Sequence, residues 1–133
     1  QLLIFRNYCS EIKIDFGCTP VDVDGIKFLS SIKSDFIKIS SMDANNLEII
    51  DACIDTNLPI IISTGMATLQ DIDKIYNLFL QREYLNFSIL HCVSIYPPRD
   101  EIVNLNFIDT LKEIFFCFVD RVFYKCQFSL VGW

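Results

Sequence analysis

Four short β-rich runs recur along the chain at intervals of about 25 residues, and this alternation constrains the fold more than any other feature. They are residues 13–17 (KIDFG), 36–40 (FIKIS), 59–63 (PIIIS) and 87–92 (FSILHC). Segments of helical length follow them, at 23–32, 45–56, 69–81 and 105–115, with apolar residues spaced three and four apart. In 69–81 the stripe is Leu69, Ile72, Ile75, Tyr76 and Phe79, while Gln70, Asp71, Asp73 and Lys74 face away. Thr68, followed three residues later by Asp71, is a helix start signal. Strands apolar on both faces that alternate with helices predict parallel βαβ units with the sheet covered. The expected class is α/β.

Two architectures of that class compete, a doubly wound open sheet and a (β/α)8 TIM barrel. No Gly-x-Gly-x-x-Gly turn follows the first run, so nothing favours dinucleotide binding. Each run instead ends in a small or reactive set: Cys18-Thr19-Pro20, Lys38 to Ser41, Ser63-Thr64-Gly65 and Cys92 to Tyr96. A barrel assembles its active site from the C-terminal ends of several strands, which favours the barrel. About four βα units make half of one. Gln1 stands where an initiator methionine would, so the chain is expected to be a piece of a longer protein. Residues 116–133 (FCFVDRVFYKCQFSLVGW) match neither a helix stripe nor a strand bounded by turns.

At 133 residues with 52% hydrophobic content, the chain has the length and the apolar side chains for one domain with a sizeable core. Its 11 basic and 17 acidic residues leave a net charge of −6 with no Lys/Arg cluster, which argues against a nucleic-acid partner. No apolar run approaches the roughly 20 residues of a membrane span, and no export signal opens the chain, so a cytoplasmic protein without a membrane partner is expected. The six cysteines show no CxxC pair and no zinc-site spacing; buried reduced thiols are expected.

Several residues could carry chemistry. Lys38 lies inside an otherwise apolar strand, where it could hold a substrate phosphate or carboxylate, serve as a Schiff-base nucleophile, or run its stem along a strand edge. Asp43, Asn45 and Asn46 follow at a strand-to-helix turn, where capping and catalysis are both open readings. Ser63-Thr64-Gly65 offers hydroxyls and backbone N–H groups for an anion, and Ser and Thr are also routine caps. Ser94 and Tyr96 project to one side if their strand extends that far, with His91 on the other. His91 is the single histidine, and a lone one in an apolar strand reads as a hydrogen-bonded structural residue; a metal site would require a second ligand that no other histidine supplies.

Read together, CTP, FIKISSMDANN, PIIISTGMATLQDI and ILHCVSIYPP followed by VNL resemble the sialic acid synthase (N-acetylneuraminate synthase, NeuB) family over residues 8–115. The resemblance implies condensation of phosphoenolpyruvate with N-acetylmannosamine or its 6-phosphate, with release of phosphate. It implies a homodimeric parent, a (β/α)8 barrel of which residues 1–115 supply strands three to six, and an antifreeze-like domain that is absent here. Matched positions imply that Thr19, Lys38, Ser41 and Ser63 bind phosphoenolpyruvate. They imply that Asp43, Asn45, Ser94 and Tyr96 contact the sugar, with Asp43 as proton carrier and Lys38 beside it as a catalytic group.

The chain also departs from the pattern that the resemblance implies. Where the family writes Lys-Ile-Gly-Ser-Gly, this chain has Lys38-Ile-Ser-Ser-Met42, which replaces two glycines of the binding loop. The implied cofactor is Mn²⁺ or Mg²⁺, held by two histidines on strands seven and eight that this sequence lacks. Val131-Gly132-Trp133 resembles the opening of the Gly-x-Ser-Asp-His stretch that bears one of them, which would make 116–130 an insertion or foreign sequence. The expectation is a fragment inactive by itself. Its alternatives are a non-catalytic interaction module and a Schiff-base aldolase using Lys38.

Overall fold

The computed structural model describes residues 1–115, so the expected divergent segment 116–133 lies outside the described residues. In chain order the elements are α1 (Leu2–Glu11), β1 (Gly17–Cys18), α2 (Val23–Ser31), β2 (Phe36–Ile39), α3 (Leu47–Asp55), β3 (Ile60–Ser63), α4 (Leu69–Gln81), β4 (Phe87–Leu90), α5 (Asp100–Val103) and α6 (Asn106–Ile114). The sheet order is β1-β2-β3-β4 and every neighbouring pair is parallel. Right-handed crossovers between strands laid down in sequence place the connecting helices on one face. Accordingly α2 packs beside α3 and α3 beside α4. A doubly wound sheet reverses its strand order at a switch point, and this one does not. The fold is an α/β wall of parallel strands with the winding of a TIM barrel.

Register decides which side chains the helices cover. Ile37, Ile60 and Phe87 align across the sheet, as do Ile39, Ile62 and Ile89. The four isoleucines of β2 and β3 in these rows are fully buried against Ile26, Leu29, Ile49, Ile50, Cys53, Ile75 and Phe79. Phe79 stacks on Phe87 at 4.0 Å between ring centroids, which ties α4 to β4. A smaller cluster of Ile72, Leu111 and Phe115 fastens α6 to α4. Alternation puts Phe36, Lys38, Ile61, Ser88 and Leu90 on the opposite face, where they are half-buried. That face corresponds to the lumen of a barrel.

Helix ends explain where the strands begin. After α1, Lys13 adopts φ 58°, its N–H donates to the Ser10 carbonyl, and the Ile14 N–H donates to the Cys9 carbonyl at 2.9 Å. This paired bonding is a Schellman cap. Lys33 after α2 and Glu83 after α4 repeat it. The first expected strand, 13–17, is therefore corrected: its opening residues are spent capping α1, and the ladder starts only at Gly17. Gly17 pairs with Phe36, whose ring occupies the space a Cβ would take. The sequence reading also assigned no helix to 2–11 or 100–103. α1 buries no residue of its own and docks through Arg6, which donates to the Lys33 carbonyl at 3.1 Å and lies 3.8 Å from Asp35.

Candidate functional site

The C-terminal ends of β1 to β4 carry most of the sequence-predicted site residues. Lys38 and Ser63 lie on the uncovered face, because Lys38 aligns with Ile61 and Ser63 lies two residues beyond it. Lys38 is half-buried and its side chain makes no hydrogen bond or ion pair with other described residues, while Ser63 is buried. Thr19 is half-buried immediately after β1.

Three loops meet in one place. The Gly65 N–H, just past β3, donates to Ser41 Oγ after β2 at 3.0 Å. A Cβ built on Gly65 would stand 2.7 Å from Ser94 Oγ, 3.1 Å from Ser41 Oγ and 3.3 Å from Cys92 Cβ. The end of β3 is further joined to β4 by Thr64, whose N–H and hydroxyl both donate to the Leu90 carbonyl, the hydroxyl at 2.9 Å. Ser41 and Ser94, expected on different substrates, are thus neighbours across one glycine. Sequence reasoning placed Gly65 in a polar set but missed it as the meeting point, since the residues it joins are remote along the chain.

Asp43 is held by its own turn. The Ser40 hydroxyl donates to Asp43 Oδ2 at 2.6 Å, a bond that the Ser-x-x-Asp spacing could have signalled. Neither Ser40 nor Met42 is among the positive-φ residues, so replacing glycine at these positions leaves the backbone unstrained. Asn46 is the α3 cap, accepting from the Ile49 N–H, whereas Asn45 is exposed.

The last strand differs from expectation. β4 ends at Leu90, not at Cys92, so the alternation meant to align Ser94 with Tyr96 does not extend to them. Tyr96 is 71% exposed. His91 bonds through Nε2 to the Val103 carbonyl at 2.8 Å and lies 5.4 Å from the Phe107 ring, which makes it a fastener of the end of α5 and the start of α6. Among the described residues no three His, Cys, Asp or Glu side chains gather to hold a metal ion. The described residues by themselves therefore do not make up a divalent-cation site. Also among the described residues, Cys9, Cys18, Cys53 and Cys92 are free thiols. Only Cys53 is buried; Cys117 and Cys126 lie outside the described residues. No helix there is long and apolar enough to cross a membrane.

Comparison with known proteins agrees with this geometry. N-acetylneuraminate-9-phosphate synthase of Drosophila melanogaster is 35% identical over 115 residues, covering 86% of this chain and 31% of its own length. N,N'-diacetyllegionaminic acid synthase of Legionella pneumophila is 35% identical over 118 residues, covering 84% of this chain and 33% of its own. The crystal structure of N-acetylneuraminic acid (sialic acid) synthetase from Leptospira borgpetersenii, in complex with citrate, superposes with a TM-score of 0.80 at 33% identity, covering 84% of this chain and 39% of that one. The chain spans about a third of the length of the curated relatives it matches. The NeuB family model matches residues 2–120, and with the parallel wall and its polar strand ends this establishes that the chain belongs to the NeuB family.

Proposed function

We propose that this chain carries the phosphoenolpyruvate half of the substrate site, and part of the sugar half, of a synthase that joins phosphoenolpyruvate to N-acetylmannosamine or its 6-phosphate with release of phosphate. The observation that carries the reading is the meeting of Ser41, Gly65 and Ser94 at the strand ends, above a face that presents Lys38 and Ser63. Lys38 supplies a compact positive charge for phosphate or carboxylate, and Thr19, Ser41 and Ser63 supply hydroxyl donors around it. Because Ser41 Oγ already accepts from the Gly65 N–H, its own hydrogen is free to donate to an anion. Asp43, steadied by Ser40, is the acceptor for a proton at the sugar, with Asn45, Ser94 and Tyr96 as further sugar contacts. The same reading carries a cytoplasmic, homodimeric parent that takes Mn²⁺ or Mg²⁺ on ligands outside this chain.

The 133-residue chain alone is expected to bind phosphoenolpyruvate without turning it over. Calorimetric titration checks the first part: Lys38→Ala weakens binding by at least about tenfold, the effect of removing one charged donor. Failure of the unaltered chain to bind would overturn the reading. Incubation with phosphoenolpyruvate, N-acetylmannosamine and Mn²⁺ checks the second, since phosphate release above the Lys38→Ala control contradicts inactivity. Borohydride in the presence of a carbonyl substrate traps nothing on Lys38 if the ammonium role holds.

A further inference from the structure

We infer that Gly65 is a positioning residue of the site: its missing side chain lets the Ser41 and Ser94 hydroxyls close on one point, and its N–H sets the direction in which Ser41 donates. The inference rests on the proposed phosphoenolpyruvate site. Glycine at this position is not explained by backbone conformation, because no glycine among the described residues has positive φ. Space explains it, since a Cβ would come within 2.7 Å of Ser94 Oγ and 3.1 Å of Ser41 Oγ, closer than side chains tolerate without moving. Ser41 is anchored by the Gly65 N–H itself, and Ser94 Oγ clears a methyl group only by turning its side chain away.

The bond also has a chemical consequence. A hydroxyl oxygen that accepts from a fixed N–H turns its hydrogen elsewhere, where it can donate to a ligand. A methyl group at Gly65 displaces Ser41, Ser94 or both, and so weakens an anion held by Ser41 even though residue 65 need not touch the anion.

The test is a cycle of Gly65→Ala, Ser94→Ala and the double variant, each titrated with phosphoenolpyruvate after far-UV circular dichroism shows it folded. Gly65→Ala is expected to weaken binding about tenfold, the loss of one hydroxyl donor to a charged group. In the Ser94→Ala background, where the nearest clashing oxygen is gone, the same change is expected to cost about twofold or less, by the coupling that neighbouring residues show. A purely structural role would lower the melting temperature without this rescue of binding. Gly65→Ala binding like the unaltered chain, or the double variant binding no better than Gly65→Ala, overturns the inference. Amide hydrogen exchange separates it from the site reading: the Gly65 N–H exchanges slowly and Ser41→Ala speeds it. Rapid exchange in the unaltered chain refutes the positioning bond whatever the titration shows. Absent phosphoenolpyruvate binding with a protected Gly65 amide refutes the proposed ligand and, with it, the anion-directing part of the inference.

Discussion

Cys53 shows how far burial governs chemistry at a single residue. Enclosed between α3 and the sheet, it is 0% exposed, and burial pushes its thiol up to about 12. A thiol held neutral is a poor nucleophile. Iodoacetamide labelling read by mass spectrometry should therefore modify Cys9, Cys18 and Cys92 in the native chain and reach Cys53 only on unfolding; equal labelling rates would refute this. Tyr84 behaves alike: burial first, and the neighbouring Cys53 second, push its hydroxyl up to about 12, and it donates to the Leu58 carbonyl. Both groups ionise earlier in the unfolded chain, at their ordinary values of 9.0 and 10.0. Their contribution to stability is therefore complete below about pH 9 and is lost as pH rises toward 12. Urea midpoints measured across this range should fall, and Tyr84→Phe should flatten part of the fall. None of this was legible from composition, because Cys53 is one of several cysteines in apolar sequence and only packing separates it from the rest. His91 is similar: its structural reading followed from being a lone histidine, but its partner Val103 could not be named without the fold.

Elements were legible where their signals are local. α4 begins at the expected Thr68, which forms a capping box with Asp71, and ends at the expected Gln81. The Thr68 hydroxyl and then its backbone N–H, with Lys74 adding attraction, hold the Asp71 carboxyl below the usual range. A depressed carboxyl contributes stability above its unfolded value, and that contribution is lost as pH falls through the folded value. The chain should therefore lose stability below about pH 4 in a way that Asp71→Asn abolishes, measured by denaturant midpoints. The strand starts were less legible, because non-glycine residues occupy left-handed positions after α1, α2 and α4. Glycine is the usual signal there, and Lys13, Lys33 and Glu83 conceal it. Lys33→Gly should accordingly stabilise the fold by about 1 kcal/mol, since the Arg6 bond to its carbonyl survives the change. A lower melting temperature would contradict this. The Arg82 guanidinium, bonded to Asp51 and Asp55 of α3, is a further link between α3 and α4 that periodicity could not announce.

On the scale of the whole molecule, the wall has, among the described residues, two unpaired edges, β1 and β4, and an uncovered face bearing Phe36, Ile61 and Leu90. α1 adds Ile4, Phe5 and Tyr8, each more than half exposed. Open strand edges and contiguous apolar surface promote association. Residues 1–133 expressed alone should self-associate with rising concentration in sedimentation velocity, and a sharp monomer throughout would contradict this. From the sequence alone follow the α/β class, the alternation of four strands with amphipathic helices, the capping of α4 and the clustering of polar residues at strand ends. Each depends on spacings of a few residues, which hydrophobic periodicity and capping chemistry record directly. The barrel winding was also favoured by the sequence; tertiary structure alone decided that β4 stops at Leu90 and that Ser41 meets Gly65, 24 residues away, beside Ser94. The physical reason is that register and loop convergence are settled by contacts between residues remote in sequence, whose fit no local pattern encodes.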